Sequence, residues 1–213
     1  MTELRLTLAG RTVEGARDQI RRYCGLTWSG GPAETWAYAY FDRLPTGTKV
    51  TPQDVLAAAT LHPGLRRSDL TFFHDNAAAI NTWLSTIPLD TPLALADSET
   101  FEQLCNLVML RPGNWDYLSL LSKVVHRKRP ELIPIVNGCV WDWYRPGMPK
   151  RPTETEWPLL ITALQADLRN EKNQQTFDSL RDELGAELGW SPPSDLRMLD
   201  ITLWMNERAE SYY

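Results

Sequence analysis

The sequence has few of the residues that build metal centres and disulfide frameworks. It contains three histidines and three cysteines among 213 residues. No histidine stands in a Cys-x-x-Cys or His-Glu-x-x-His pattern, so we predict no metal site and no cofactor. An odd number of widely spaced cysteines predicts a reducing cytoplasm and no disulfides. The residues are His62, His74, His126, Cys24, Cys105 and Cys139.

Long apolar runs and the common nucleotide and hydrolase signatures are also missing. The longest apolar pieces, 107–110 and 158–162, are far shorter than the roughly 18 residues of a membrane span. Charges at Glu3 and Arg5 interrupt the first apolar stretch, which is unlike a signal peptide. The sequence contains no Gly-x-Gly-x-x-Gly motif, phosphate-binding loop or Gly-x-Ser-x-Gly turn. We therefore expect no membrane partner and no dinucleotide, P-loop or α/β-hydrolase chemistry.

Positive charge is concentrated in one stretch of an acidic chain. The formal net charge is −5, the wrong sign for a protein that coats itself in nucleic acid. Between Lys123 and Arg151, however, seven lysines and arginines stand against two acids, a local charge of +5. This stretch predicts a surface that binds an anionic ligand or makes a short phosphate contact. The alternative is a solvated basic loop.

Apolar residues recur at helical spacing nearly throughout, so the predicted fold class is all-α. Strand-like alternation is confined to Leu4–Leu8, and the prolines of Arg145–Pro152 mark a possible lobe boundary within a single domain, 1–213. Capping residues such as Thr51 and Asn137 indicate helix starts. The predicted helices are 13–23, 33–44, one beginning at 51, 68–87, 98–110, 113–125, 138–144, 155–169, 176–188 and 194–208.

Nine tryptophans are many for this length, and most of them should pack in the core. Trp141 and Trp143 flank Asp142 beside the basic stretch. Alternate residues of a helix cannot both face one core, so one of these rings should reach a surface or cleft. There it would stack on a flat ligand, which makes Trp141 and Asp142 candidate ligand-binding residues.

The densest signal is residues 118–143. A predicted helix ends in His126, Arg127, Lys128 and Arg129, and the following Pro130 prevents its continuation. Four basic side chains at the negative end of a helix dipole are either a stable terminus or a binding site for an anion. Cys139 with His126 is a conceivable nucleophile and base, although a buried, inert thiol is the commoner arrangement.

The last predicted helix carries an acid on its apolar face. Asp200 lies four residues after Leu196 and three before Leu203, so its carboxylate points into the core. A buried carboxylate needs a cation or hydrogen-bond donors, or its pKa rises. We predict that Asp200 pairs with Lys123 or Arg129, either as an architectural contact or as an acid–base pair in a pocket.

The same stretches carry two resemblances. SKVVHRKRPELIPIVNGCV and LRMLDITLWM resemble paired signatures of an uncharacterised actinobacterial family of unknown function. The segment 134–140 is also similar to one in helix-hairpin-helix DNA glycosylases, where an aspartate heads a helix that faces the flipped nucleotide. Residues 110–113 resemble the start of their phosphate-binding hairpin. This similarity implies an all-α, two-lobed fold with a cleft between the lobes.

Two departures from the glycosylase pattern argue against base excision. Asn137 stands where the catalytic aspartate is expected, and a neutral amide cannot stabilise an oxocarbenium-like cation as a carboxylate does. The second hairpin glycine falls near Trp115, whose side chain would keep the backbone away from a phosphate. Trp115 and Asn137 remain candidate ligand-binding residues.

Three functions are compatible with these observations. The first is a glycosylase-like domain that binds nucleic acid or an anionic aromatic small molecule without cutting a glycosidic bond. The second is a small-molecule enzyme with an Asp200/Lys123 acid–base pair in an aromatic, basic cleft. The third is a protein-interaction module. The sequence gives no indication of oligomeric state or of the natural ligand.

Overall fold

Helices make up most of the structure, which confirms the all-α prediction in its coarse form. A computed structural model describes residues 5–33, 39–61, 64–110, 115–148 and 155–211. These residues contain one β-hairpin and two 3-10 turns, Leu93–Leu95 and Asn106–Leu110. The strands are β1 (Leu6–Leu8) and β2 (Arg11–Val13). The helices are α1 (Ala16–Tyr23), α2 (Ala39–Arg43), α3 (Pro52–Ala59), α4 (Arg67–Ser85), α5 (Ser98–Cys105), α6 (Trp115–His126), α7 (Gly138–Tyr144), α8 (Glu156–Arg169), α9 (Glu171–Glu187) and α10 (Asp195–Ser211).

Local capping explains where several helices begin. The Asp54 carboxylate accepts a hydrogen bond from the Thr51 backbone N–H at 2.8 Å, half of a capping box at the start of α3. Asn137 accepts from the Val140 N–H at 3.0 Å and so caps α7 as predicted. Helix α9 begins five residues earlier than predicted, because Asn170 caps it by accepting from the Lys172 and Asn173 N–H groups.

The hairpin was only half predicted from the sequence. β1 pairs antiparallel with β2, with Leu6 opposite Val13, whereas Val13 had been assigned to the first helix. The turn between the strands uses Ala9 at φ 50° and Gly10 at φ 72°, the positive values that a two-residue hairpin turn requires. Alanine rarely adopts this conformation, so the residues at 9 and 10 do not indicate a turn of this type.

One cluster of buried side chains forms the core and includes residues from both sides of 145–152. Helix α1 packs on α10, α7 packs on α10 and α8, and the hairpin packs on α9 and α10. Helix α10 therefore contacts elements from both ends of the chain. Residues 149–152, the second half of the predicted lobe boundary, lie outside the described residues.

The positive surface predicted from Arg127, Lys128 and Arg129 is wrong, because these three side chains are buried, while Lys150 and Arg151 of the same stretch lie outside the described residues. The Asp54 carboxylate contacts the Arg127 Nε at 3.1 Å and the Lys128 Nζ at 2.6 Å. Arg127 also donates to the carbonyls of residues 41, 44 and 45. These cations connect α6 to α3 and to the loop before α3, and neither is exposed to solvent.

Arg129 has a different set of partners from its two neighbours. Its guanidinium donates to the carbonyls of Leu84 at 3.0 Å and Ile87 at 3.2 Å, at the C-terminal end of α4. A cation at this end of a helix neutralises the carbonyl groups that have no partner within the helix. Arg129 is therefore a helix cap and does not pair with Asp200.

Replacing Asp54 with asparagine should destabilise the fold by about 3 kcal/mol, because two buried cations lose their counter-charge. Burial raises the pKa of Asp54, but hydrogen bonds from Lys128, Thr51 and Arg127 outweigh burial and place that pKa below 3.8. The wild-type stabilisation is thus complete above the ordinary carboxyl pKa and is lost as the pH falls through the lower folded value. Urea unfolding of both proteins from pH 7 to pH 2 measures the difference.

The matched control is Asp178→Asn, which breaks the exposed Arg181–Asp178 pair, with side-chain exposures of 43% and 68%. It should change the free energy of unfolding by less than about 0.5 kcal/mol. Equal effects of the two substitutions would show that the buried cations do not depend on Asp54.

Candidate functional site

A polar cluster lies inside the core where α10 meets α6 and α7. Helix α10 contributes Arg197 and Asp200, each 3% exposed, α6 contributes Lys123, and α7 begins at Asn137. The prediction that Asp200 points into the core is confirmed. The predicted partners are wrong, because Asp200 forms its ion pair with Arg197, three residues earlier on the same helix. That spacing was visible in the sequence and was missed.

The Arg197 guanidinium is the centre of this cluster. Its Nε donates to Asp42 Oδ1 at 2.9 Å, and an Nη1 hydrogen bond joins it to Asp200. Its Nη2 donates to the Tyr23 hydroxyl, which in turn donates to Asp42 Oδ2 at 2.6 Å. The guanidinium also lies 5.1 Å from the ring centroids of Tyr23 and Phe41. Burial disfavours the charged form, but Asp42, Tyr23 and Asp200 outweigh burial and raise the pKa of Arg197.

Asn137 connects the start of α7 to the Asp200 carboxylate. Its side-chain oxygen caps the helix, while its Nδ2 donates to Asp200 Oδ1 at 2.7 Å. An aspartate here would place a second carboxylate against Asp200, so a neutral amide suits this contact. Burial raises the pKa of Asp200 above 3.8, although the charges of Arg197 and Lys123 oppose that shift.

Lys123 is a buried amine without a carboxylate in its hydrogen-bond shell. Among the described residues, its Nζ donates to the Ser119 carbonyl at 3.2 Å and to the Ser119 hydroxyl at 2.9 Å, one turn earlier on α6. Burial lowers the pKa of Lys123 to about 8, even though the charge of Asp200 acts in the opposite direction. At pH 7 about a tenth of this amine is therefore neutral.

Lys123, Asn137, Arg197 and Asp200 line one small cavity of about 30 Å³, and Leu61, Ile135 and Trp204 complete its wall. This volume holds one or two water molecules or a functional group of a few atoms. A nucleobase does not fit in it. The wall includes the indole ring of Trp204. This ring is partly buried and packs edge-on against the Tyr23 ring, with 6.3 Å between the ring centroids. The cavity thus has the predicted types of wall residue, but Trp204 and Arg197 supply them instead of Trp141 and Arg127.

The two tryptophans beside Asp142 do not form a ligand platform. Trp141 is 0% exposed, so it cannot stack on a ligand, whereas Asp142 is exposed. Trp143 is the ring that approaches the surface, but it lies under the Arg11 guanidinium and donates its Nε1–H to the Leu8 carbonyl at 2.9 Å. Trp115 is the first residue of α6, and its side chain lies outside the described part.

His126 and Cys139 do not form a catalytic pair. The Nδ1 of His126 lies 2.6 Å from the Ile133 carbonyl oxygen, and its ring stacks on Phe41. Burial lowers the pKa of His126 to about 4, so the ring is neutral at pH 7 and offers no charge to an anion. Burial also raises the pKa of the Cys139 thiol, and a hydrogen bond with Glu207 acts in the same direction. The thiol is therefore protonated and a poor nucleophile.

Among the described residues, no group of three or more His, Cys, Asp and Glu side chains is arranged to hold a metal ion. None of the helices in this part of the chain is long and apolar enough to cross a bilayer.

The chain belongs to a family of unknown function, DUF6308, whose family model matches residues 16–207. This confirms the resemblance to an uncharacterised family. The match includes every residue that lines the small cavity. No curated protein and no solved structure matches the chain. Its chemistry must therefore be inferred from the polar cluster itself.

Replacing Lys123 with methionine, which has a similar length and no charge, should change how stability depends on pH. The folded pKa of about 8 is below the ordinary lysine value of 10.5, so the unfolded chain binds more protons between these values. The free energy of unfolding of the wild type should therefore rise relative to the variant over this range, by up to about 3 kcal/mol. Urea unfolding at pH 7, 8, 9 and 10 measures that difference, and a constant difference would contradict the lowered pKa.

Proposed function

We propose that this protein is a small-molecule enzyme in which Lys123 and Asp200 form an acid–base pair. The observation that carries the proposal is the cavity between α6, α7 and α10, whose wall holds both the buried Lys123, with Ser119 as its hydrogen-bond partner among the described residues, and the buried Asp200. Buried ionisable groups whose pKa values shift towards neutrality are typical of catalytic sites. An architectural role would be better served by a direct Lys123–Asp200 ion pair.

Lys123 is the base in this proposal. Its neutral form accepts a proton from a substrate group that enters the cavity, and Ser119 holds the resulting ammonium with two hydrogen bonds. Asp200 is held in place by Arg197 and Asn137, and its charge stabilises the protonated amine. A positioned base of this kind accelerates proton transfer by about a hundredfold to ten-thousandfold.

The charges of the site favour an uncharged polar substrate group. Arg197 and protonated Lys123 balance Asp42 and Asp200, so the loss of the lysine proton leaves a net negative charge. A carboxylate or phosphate would be repelled by the form of the site that acts as a base. The anionic ligand expected from the sequence depended on Arg127 and Arg129, which have partners elsewhere in the fold.

Nucleic-acid binding loses its main support for the same reason. Cations that contact phosphates must be accessible to them, whereas Arg127, Lys128 and Arg129 are each at most 6% exposed. Descent from a helix-hairpin-helix glycosylase fold and a cytoplasmic location stay predictions. The glycosylase-like fold is compatible with an ancestral cleft in which Asn137 now donates a hydrogen bond to Asp200.

The proposal is tested with p-nitrophenyl acetate, a small ester that acetylates neutral amines. The Lys123 amine would attack the ester carbonyl, p-nitrophenolate would leave, one amine proton would pass to solvent, and an acetamide would remain on the lysine. At pH 7 less than about a thousandth of an ordinary lysine is neutral, so Lys123 should be acetylated before the exposed Lys172. Peptide mass spectrometry over time measures both sites, and Lys123→Met confirms the assignment.

The contrary result is acetylation of Lys172 while Lys123 stays unmodified. An amine that a two-carbon acyl group does not reach is a packing residue, and the enzyme proposal would fail.

Gel shifts at low salt with single- and double-stranded oligonucleotides test the competing hypothesis of nucleic-acid binding. We expect no complex, and a complex whose affinity falls with salt would favour nucleic-acid binding.

A further inference from the structure

An apolar groove lies between α3 and α4 and shares no lining residue with the cavity of the polar cluster. Val50, Pro52 and Val55 line one side, Leu70, Phe73 and Ala77 line the other, and the volume is about 360 Å³. Leu70 is 46% exposed, and Leu56, one turn after Pro52, is 60% exposed. Apolar side chains grouped around an open groove indicate a contact surface.

The groove is held open by fixed polar contacts. The Asn81 side chain accepts from the Val50 N–H at 2.7 Å and donates to the Val50 carbonyl at 3.4 Å, which ties the strand-like entry of α3 to α4. Asp54 and Asp69 each accept a backbone hydrogen bond at the start of α3 and α4. A preformed groove lowers the cost of ordering on binding.

The same contacts decide which kind of segment fits. Both backbone polar groups of Val50 already pair with Asn81, so this edge offers them to no added β-strand. A groove between two helices instead suits an amphipathic helix that inserts apolar side chains at i, i+3 or i+4, and i+7. The volume accommodates about two or three such side chains.

The charges around the groove are positive, in contrast to the chain as a whole. Lys49 immediately precedes Val50, and Arg67 precedes Leu70 by one helical turn; both are exposed. Asp69 is buried, and Asp75 projects from a different face of α4, because successive helical residues are rotated by about 100°. A partner with acidic residues beside its apolar face complements this surface.

We propose that the groove between α3 and α4 binds an amphipathic helix of another protein, with acidic residues flanking the apolar face of that helix. The apolar side chains enter between the two helices, and the acids lie near Lys49 and Arg67. This proposal is independent of the chemistry at Lys123, since the two sites share no lining residue.

The test uses two synthetic peptides of about 14 residues, about 21 Å of helix. Both carry leucines at the anchor positions, and one has glutamates and the other lysines on the flanks. Fluorescence anisotropy with the full chain should show binding of the glutamate peptide and at least tenfold weaker binding of the lysine peptide. Arg67→Glu should reduce this preference, and added salt should weaken the binding.

Leu70→Ser should weaken binding of the glutamate peptide by about tenfold. Its matched control is Leu159→Ser on α8, where the leucine is 47% exposed and outside the groove. No saturable binding, equal binding of the two peptides, or equal effects of the two serine variants would overturn the proposal. Sedimentation separates a further outcome, because a wild-type dimer that Leu70→Ser dissociates would make the groove a self-association surface instead.

Discussion

The buried guanidinium of Arg197 is the interaction on which the polar centre of the protein depends. It neutralises Asp42 and Asp200 together and also donates to the Tyr23 hydroxyl, so it joins α1, α2 and α10. Because Asp200 is paired in this way, Lys123 has only Ser119 as its described hydrogen-bond partner. Burial is the main cause of the lowered pKa of Lys123; the charge of Arg197 acts in the same direction and that of Asp200 opposes it.

Buried charge has two distinct uses in this fold. Around Asp54 it stabilises one part of the core. Arg127 and Lys128 both contact the Asp54 carboxylate, and backbone carbonyls accept the other hydrogen bonds of Arg127. Neither of those two cations lines the small cavity beside Asp200. Near Arg197, by contrast, the described hydrogen bonds of Lys123 are to Ser119 alone, and Lys123 lines the small cavity. That difference separates a structural cluster from a candidate site.

The sequence predicted those features that depend on local rules. Helix starts at Thr51 and Asn137 follow from capping, and the buried position of Asp200 follows from helical spacing. The sequence did not predict partners, because the spacing of apolar residues fixes the face of a helix but not what that face meets. Lys123 and Asp200 do reach one cavity, yet Arg197 takes the ion pair. The net charge of a stretch likewise does not predict whether its side chains are buried, and the positive surface predicted from Arg127 and Arg129 is therefore wrong.

The candidate site depends on the protonation state of Lys123. Carbon-13 NMR of protein labelled at the lysine Cε atoms measures that state directly, with Lys123→Met used to assign the signal. The Lys123 signal should titrate near pH 8, and at a lower pH in Asp200→Asn, since the Asp200 charge raises the pKa of Lys123. A midpoint near the ordinary lysine value of 10.5 in both proteins would show that Lys123 is not a base at neutral pH.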